Sequence, residues 1–319
     1  MSTALTVSGL SSVPSLPAAD IEKAADLARQ EKAKATQRAY GIDFEIFRTW
    51  CASRGVSALP ATAESVAAFL ACEVERGIRS STIGRRVAAI RYAHKLAGHA
   101  VPTDDERVKA TVRGIRRSVG TAARKKAPAT AERVIAMAVG TGTGLKGLRD
   151  RALLLLGFAG AFRRSELVAL DCEDIEECET GLRITIRRGK TDQEGHGATI
   201  GIVPGSVACP MTAVRAWRDA AGIATGPLFR SIRKGSKVGA RLTDQSVADI
   251  VKKHAARVGL DPALFAGHSL RAGFLTSAAK RGASIFKMMD VSRHRSVDTL
   301  RGYVRDAEIF KDHAGAGLL

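Results

Sequence analysis

The stretch "LRITIRRGKTDQEGHGATIGIVP", residues 182–204, decides the fold. Apolar and polar residues alternate on both sides of a glycine-rich polar turn, which is the period of two expected of a β-hairpin. Nearly everything around it carries the helical period instead. On the N-terminal side stand "TAERVIAMAVG" (130–140) and "LRDRALLLLGFAG" (148–160); on the C-terminal side stand "MTAVRAWRDAAG" (211–222), "TDQSVADIVKKHAARVG" (243–259) and "SLRAGFLTSAAKRG" (269–282). The second domain, 129–319, therefore reads as mainly α with one small antiparallel sheet inserted early. The turn contains "GKT" (189–191), but a phosphate-binding Gly-x-x-x-x-Gly-Lys-Thr loop needs glycine at 184, where the chain has Ile184, and a strand-to-helix setting. That reading is rejected, and Lys190 becomes a hairpin-turn lysine able to lie over a substrate.

Upstream, four helices are expected between about 20 and 117. "TQRAYGIDFEIFRTWCASRG" (36–55) sets Tyr40, Phe44, Phe47 and Cys51 on one face. "TAESVAAFLACEVERG" (62–77) follows the same plan. "SSTIGRRVAAIRYAHKLAG" (80–98) turns Ile83, Val87, Ile90 and Leu96 inward and leaves Arg85 and Arg86 elsewhere on the helix. "TDDERVKATVRGIRR" (103–117) has Asp104 and Asp105 well placed at its N-terminus. Residues 1–19 read as a flexible polar arm without a secretory signal, and "SVGTAARKKAP" (118–128) as a basic linker between the domains.

A formal charge of +18 and a sequence pI near 10.2 call for a polyanionic partner. Nucleic acid comes first and an anionic membrane surface second; no apolar run approaches the roughly 18 residues of a membrane span. The five cysteines have neither Cys-x-x-Cys spacing nor a second pair to complete a zinc site, as expected of free thiols in a reducing cytoplasm. Asp171, Glu173 and Asp174 lie close together, but on a short polar segment that does not read as a metal-binding carboxylate cluster.

Three segments pair a cation with structure able to position it. In "AFRRSEL" (161–167), Ser165 is a candidate helix cap, which sets Arg163 in the turn before a helix, where guanidinium and helix terminus can share an anion. The adjacent Arg164 competes for that role. In "GHSLRAGF" (267–274), His268 and Arg271 lie three apart on one side of a helix start, Ser269 can cap it, and Gly273 admits another backbone at close range. The third is "SRHRSVDTLRGYVRD" (292–306). On one uninterrupted helix His294 and Tyr303 would be rotated by about 900° and face opposite sides. A break at Ser296 would start a new helix carrying Tyr303 and leave His294 in the turn before it. Only three tyrosines occur; Tyr40 and Tyr92 fall on packed helices, whereas Tyr303 has Arg301, Gly302, Val304 and Arg305 around it.

In this order, "RRSEL", "RRGKT", "HSLR" and "RHRSVDTLRGY" resemble the motifs of the tyrosine recombinase (phage integrase) family across the C-terminal domain. The N-terminal region matches that family's SAM-like core-binding domain in general character. The resemblance implies that Arg163, Lys190, His268, Arg271, His294 and Tyr303 are catalytic, with Glu166 supporting the first arginine. It further implies a metal- and ATP-independent reaction, without cofactor or bound metal, through a 3′-phosphotyrosine. Strand exchange by a homotetramer (a dimer on each double-stranded recombination site) would pass through a Holliday junction in the bacterial cytoplasm, with accessory proteins left open. Arg85 and Arg86 are the candidates for DNA contact. The family usually has glycine before the second histidine; this chain has Arg293. The rival readings are a type IB topoisomerase and a catalytically silent DNA-binding regulator.

Overall fold

The computed structural model describes residues 31–122, 126–189, 192 and 196–307, with isolated positions nearer the two termini. The chain divides into two units, 1–123 and 124–319.

In the first unit, helix α1 (Lys34–Ala52) buries Asp43, Phe47 and Cys51 at intervals of four. Thr62 caps α2 (Ala63–Glu75) by accepting from the Ser65 N–H, and Asp105 caps α4 (Glu106–Val119) by accepting from the Arg107 N–H. Between them runs α3 (Ser80–Leu96). Phe47, Phe69, Leu70, Ile83, Ile90 and Val108 close the core, and the rings of Tyr40 and Tyr92 meet at 5.6 Å, as packed tyrosines should. Leu96, expected inward, is 54% exposed, because the helix ends there. His94 occupies the interior position instead: its Nε2 accepts from the Ala61 N–H at 2.9 Å, which leaves Nδ1 to donate to the Ile90 carbonyl at 2.8 Å. Helix α4 continues to Val119, two residues into the stretch read as linker.

The second unit begins with backbone bonds from Ala127 to the Leu264 carbonyl and from Ala129 to the Ser269 carbonyl. Helices α5 (Ala131–Val139), α6 (Leu145–Ala159) and α7 (Arg164–Ala169) precede the sheet. The hairpin forms as read, β2 (Gly181–Ile186) against β3 (Ala198–Ile202), with Leu182 opposite Ile202 and Ile184 opposite Ile200. Leu182, Ile184 and Ile186 face the core, so the alternation is that of a sheet with one side buried. A strand not anticipated, β1 (Ile175–Cys178), pairs antiparallel with β2. Helix α8 (Pro210–Ala221) buries Trp217, whose indole N–H donates to the Leu228 carbonyl at 2.9 Å.

A second, two-stranded sheet follows, β4 (Arg230–Ile232) with β5 (Val238–Arg241). The expectation of one sheet is thus corrected. The flanking segments are short and only half-buried, so they carry little alternation to read. Helices α9 (Asp244–Arg257), α10 (His268–Lys280), α11 (Ile285–Ser292) and α12 (Val297–Ala307) complete the unit. Helix α11, also unanticipated, has eight residues and a Ser284 cap that accepts from the Lys287 N–H. Leu275, Ala279, Met288 and Leu300 form a separate small core that ties α10, α11 and α12 together.

Gly273 sets the position of α10. A Cβ built there would lie 1.7 Å from the Ala129 carbonyl oxygen, so only glycine lets the strand of chain entering the unit cross the helix at this distance.

Candidate active site

Arg163 is the residue preceding α7, which starts at Arg164; Ser165, proposed as the cap, is already inside the helix. The capping work falls to Glu166, three residues on. Its Oε2 accepts from the Arg163 N–H at 3.0 Å and its Oε1 from the Arg163 guanidinium at 2.5 Å. Burial would raise the Glu166 pKa, but Arg293 and the two bonds from Arg163 outweigh it and hold the carboxyl below its usual range. Arg164 points elsewhere, into an ion pair with Asp244 at 3.0 Å.

Arg271 lies on the first turn of α10 and is 1% exposed. It donates to the Ala161 carbonyl at 2.7 Å, and its other terminal nitrogen meets the His294 ring at 3.2–3.3 Å. Burial, then repulsion from Arg163 and Arg293, lowers its pKa to about 9, while Glu166 and Tyr303 favour its charge. Ser269 does not cap α10; its hydroxyl accepts from the Ala266 N–H at 3.0 Å.

The chain does break before the last helix. Arg293 ends α11 in a left-handed conformation, and His294 occupies the turn before α12. The Ser292 hydroxyl lies 2.8 Å from His294 Nδ1. Burial first, then Arg271, Arg163, His268 and Arg293, lowers the His294 pKa to about 4, so the ring is neutral at pH 7 and can accept from Arg271. Tyr303 sits half-buried on α12, packed at the edge of the small core around the fully buried Leu300 and within electrostatic reach of Arg271. The sequence reading of an unpacked tyrosine is corrected: Leu300, three residues back, is the apolar neighbour that anchors its helix.

Arg163, Glu166, Arg293 and His294 line a cleft of about 240 Å³, together with Gly189, Asp192 and His196 from the turn between β2 and β3. A Cβ at Gly189 would come within 3.2 Å of Glu166 Oε1, so the hairpin bears directly on the Arg163–Glu166 pair. Lys190 lies outside the described residues. Of the expected catalytic set, the structure gathers Arg163, Arg271, His294 and Tyr303, with His268 near enough to lower the His294 pKa. Arg293, noticed in the sequence only as a departure from a pattern, is the site residue whose contacts were not foreseen.

The two N-terminal arginines have separate fates. Arg85 keeps a half-exposed side chain, pairing with Asp43 at 2.6 and 3.1 Å. Arg86 is 8% exposed, with its guanidinium between Glu73 and Asp43. The expectation of an Arg86 contact with DNA gives way to a buried ion pair, since both carboxylates are interior and need a cation.

Residues 130–308 match the phage integrase family and residues 24–100 its N-terminal SAM-like domain. The chain belongs to the phage integrase family, the tyrosine recombinases, enzymes of site-specific DNA breakage and rejoining. It is 42% identical over 295 residues to an integrase/recombinase XerD homolog of Selenomonas ruminantium, covering 90% of this chain and 86% of the relative. It is 30% identical over 280 residues to tyrosine recombinase XerD of Bifidobacterium longum, with 85% and 86% covered. Among solved structures, XerH bound to a palindromic difH substrate after cleavage superposes with a TM-score of 0.68 at 16% identity, over 94% of this chain and 84% of that one. A λ integrase (75–356) dimer on a COC′ core site gives 0.62 at 17% identity, over 92% and 96%. At these identities the structural likeness establishes the fold. Among the described residues no helix is long and apolar enough to cross a membrane.

Proposed function

We propose that Tyr303 attacks a DNA phosphodiester, forming a 3′-phosphotyrosine and releasing a 5′-hydroxyl, and that Arg163 and Arg271 clamp the non-bridging oxygens. The observation that carries this reading is the convergence of two guanidiniums, one neutral imidazole and a tyrosine from three distant segments of chain onto one place. Two cations held close together are mutually repulsive in the free protein, and a bridging dianionic transition state relieves that repulsion. Removal of one comparable donor costs about 2.7–4 kcal/mol in other enzymes.

A phenol with a pKa near 10 is ionised about one part in a thousand at pH 7. The neighbouring guanidiniums favour the phenolate, and His268 takes the proton. His294 hydrogen-bonds the phosphate from a pKa that keeps it neutral. Lys190 acts as general acid on the departing 5′ oxygen, and Glu166 holds Arg163. The phosphotyrosine conserves the bond energy, so a second 5′-hydroxyl can reverse the attack and reseal a different strand without ATP.

We further propose four protomers on two double-stranded sites, a dimer on each, exchanging strands through a Holliday junction in the cytoplasm. Arg85, whose guanidinium is held at the surface by Asp43, is the candidate for backbone contact. The tail residues Ile309 and Leu318 are exposed and suit docking on a neighbouring protomer; Phe310 and Leu319 lie outside the described residues.

The test is covalent trapping. The protein is mixed with nicked duplexes tiling the DNA that flanks its gene and run on a denaturing gel. A shifted protein–DNA band lost in Tyr303→Phe is the expected result. A band that survives in that variant sinks the assignment of the nucleophile.

A further inference from the structure

Arg293 occupies a backbone conformation that suits glycine, φ 58° and ψ 38°. A strained residue persists where its surroundings hold it in place, and here the side chain supplies the hold. One terminal nitrogen donates to the carbonyls of Gly160 (3.1 Å) and Val291; the other donates to the Ala161 carbonyl (3.3 Å) and to Glu166 Oε2 (2.8 Å). The guanidinium carbon stands 5.2 Å from the centre of the Phe162 ring. The remaining Nε–H is buried without a partner, and the side chain is 12% exposed. All four terminal N–H groups are therefore committed to protein acceptors, leaving none of them for a DNA phosphate.

Two of those acceptors are shared. Glu166 accepts from both Arg293 and Arg163. The Ala161 carbonyl accepts from both Arg293 and Arg271. Ala161 itself has φ 45°, so the turn from Gly160 to Arg163 is a second strained segment, and Arg293 is bonded along it. Arg293 is thus tied through one intermediary to each arginine of the phosphate clamp, and through its own backbone to His294.

We infer that Arg293 is a positioning residue: it fixes Glu166 behind Arg163 and the Ala161 carbonyl behind Arg271, so that the clamp is assembled as one block. A glycine at 293 would relax the turn and yet leave Glu166 and Ala161 with one arginine each. The inference rests on the reading of Arg163 and Arg271 as the phosphate clamp.

The experiment compares the full chain with Arg293→Gly, Arg293→Lys, Glu166→Gln and the Arg293→Gly/Glu166→Gln double variant. Thermal melts check folding, gel shift on the tiled nicked duplexes gives affinity, and single-turnover formation of the covalent complex gives the rate. Arg293→Gly is expected to bind DNA within about threefold of the parent and to form the complex about tenfold more slowly or worse, because a displacement of an ångström in a clamp costs up to about a hundredfold. Arg293→Lys keeps the charge but not the fork, and is expected to stay at least about threefold slow; it carries the test if the glycine variant does not fold. The double variant should lose less than the product of the two single losses, since part of each loss passes through the shared Arg293–Glu166 pair. Parental rates in Arg293→Gly, or losses that multiply in the double variant, overturn the inference. Failure of the unaltered protein to form any covalent complex overturns the clamp reading instead.

Discussion

Replacing Gly273 with alanine tests whether α10 is located by the crossing of two backbones. The added Cβ would lie 1.7 Å from the Ala129 carbonyl oxygen and 2.2 Å from its carbon, far inside van der Waals contact, and both neighbours are main chain with no rotamer to change. Relief requires residues 127–129 to move off the helix. That strains the bond from the Ala129 N–H to the Ser269 carbonyl, 2.9 Å long, on the turn that carries His268 and Arg271. Overpacking of this kind costs about 1–3 kcal/mol and occasionally more, and loss of one backbone hydrogen bond about 1 kcal/mol. Alanine returns at most about 1 kcal/mol through its better helix propensity. The expected net loss is about 1–3 kcal/mol, or roughly 2–12 °C in Tm for a unit of this size at 2–4 °C per kcal/mol. Scanning calorimetry and urea titration of the full protein measure it, and covalent-complex formation should fall together with stability. A melting temperature equal to or above the parent's would refute the reasoning, for it would mean that the Ala129 segment yields freely and does not locate α10.

Arg163→Ala should slow covalent-complex formation by about a hundredfold or more, whereas Arg164→Ala, which breaks only a surface pair with Asp244, should stay within about threefold; equal losses would contradict the assignment of the inward arginine. Arg86→Met leaves the fully buried Glu73 carboxylate only its 3.0 Å bond from Arg76 and should destabilise the first unit by up to about 3 kcal/mol in urea, while Arg85→Ala strips the buried Asp43 of its two guanidinium hydrogen bonds and should cost about 1.5–3 kcal/mol. His294, at about 4 in the folded protein against an ordinary 6.5, binds fewer protons folded than unfolded between those pH values. Its contribution to stability is therefore complete above pH 6.5 and declines as pH falls toward 4. His294→Gln should flatten that part of the stability–pH curve measured by thermal melts.

The hairpin was legible because one buried face imposes strict alternation on Leu182, Ile184 and Ile186, and the break before α12 was legible because an unbroken helix would have put His294 and Tyr303 on opposite sides. Motif order brought Arg163, His268, Arg271, His294 and Tyr303 into view without coordinates. Strands β1, β4 and β5 were not legible, since three or four half-exposed residues carry too little period to outweigh their neighbours. Leu96 failed for a related reason: periodicity marks a face but not where a helix stops, and the interior place went to His94, whose two ring nitrogens find backbone partners.

What the sequence by itself determined is the chemistry available, because residue types and their spacing along a helix or hairpin are local properties: a basic chain, two domains, and a tyrosine among arginines and histidines. Tertiary structure alone decided which charges are presented and which are spent. Arg85 and Arg86 are adjacent in sequence, yet one reaches the surface and the other neutralises Glu73 inside a helical core. Arg163 and Arg164 part in the same way, toward Glu166 and Asp244. The physical reason is that a side chain's role depends on the field and the acceptors around it, and those come from residues far away in the chain. Glu166, Ala161, Arg271 and Arg293 come within hydrogen-bond reach of one another only when the turn before α7, the start of α10 and the end of α11 are packed together.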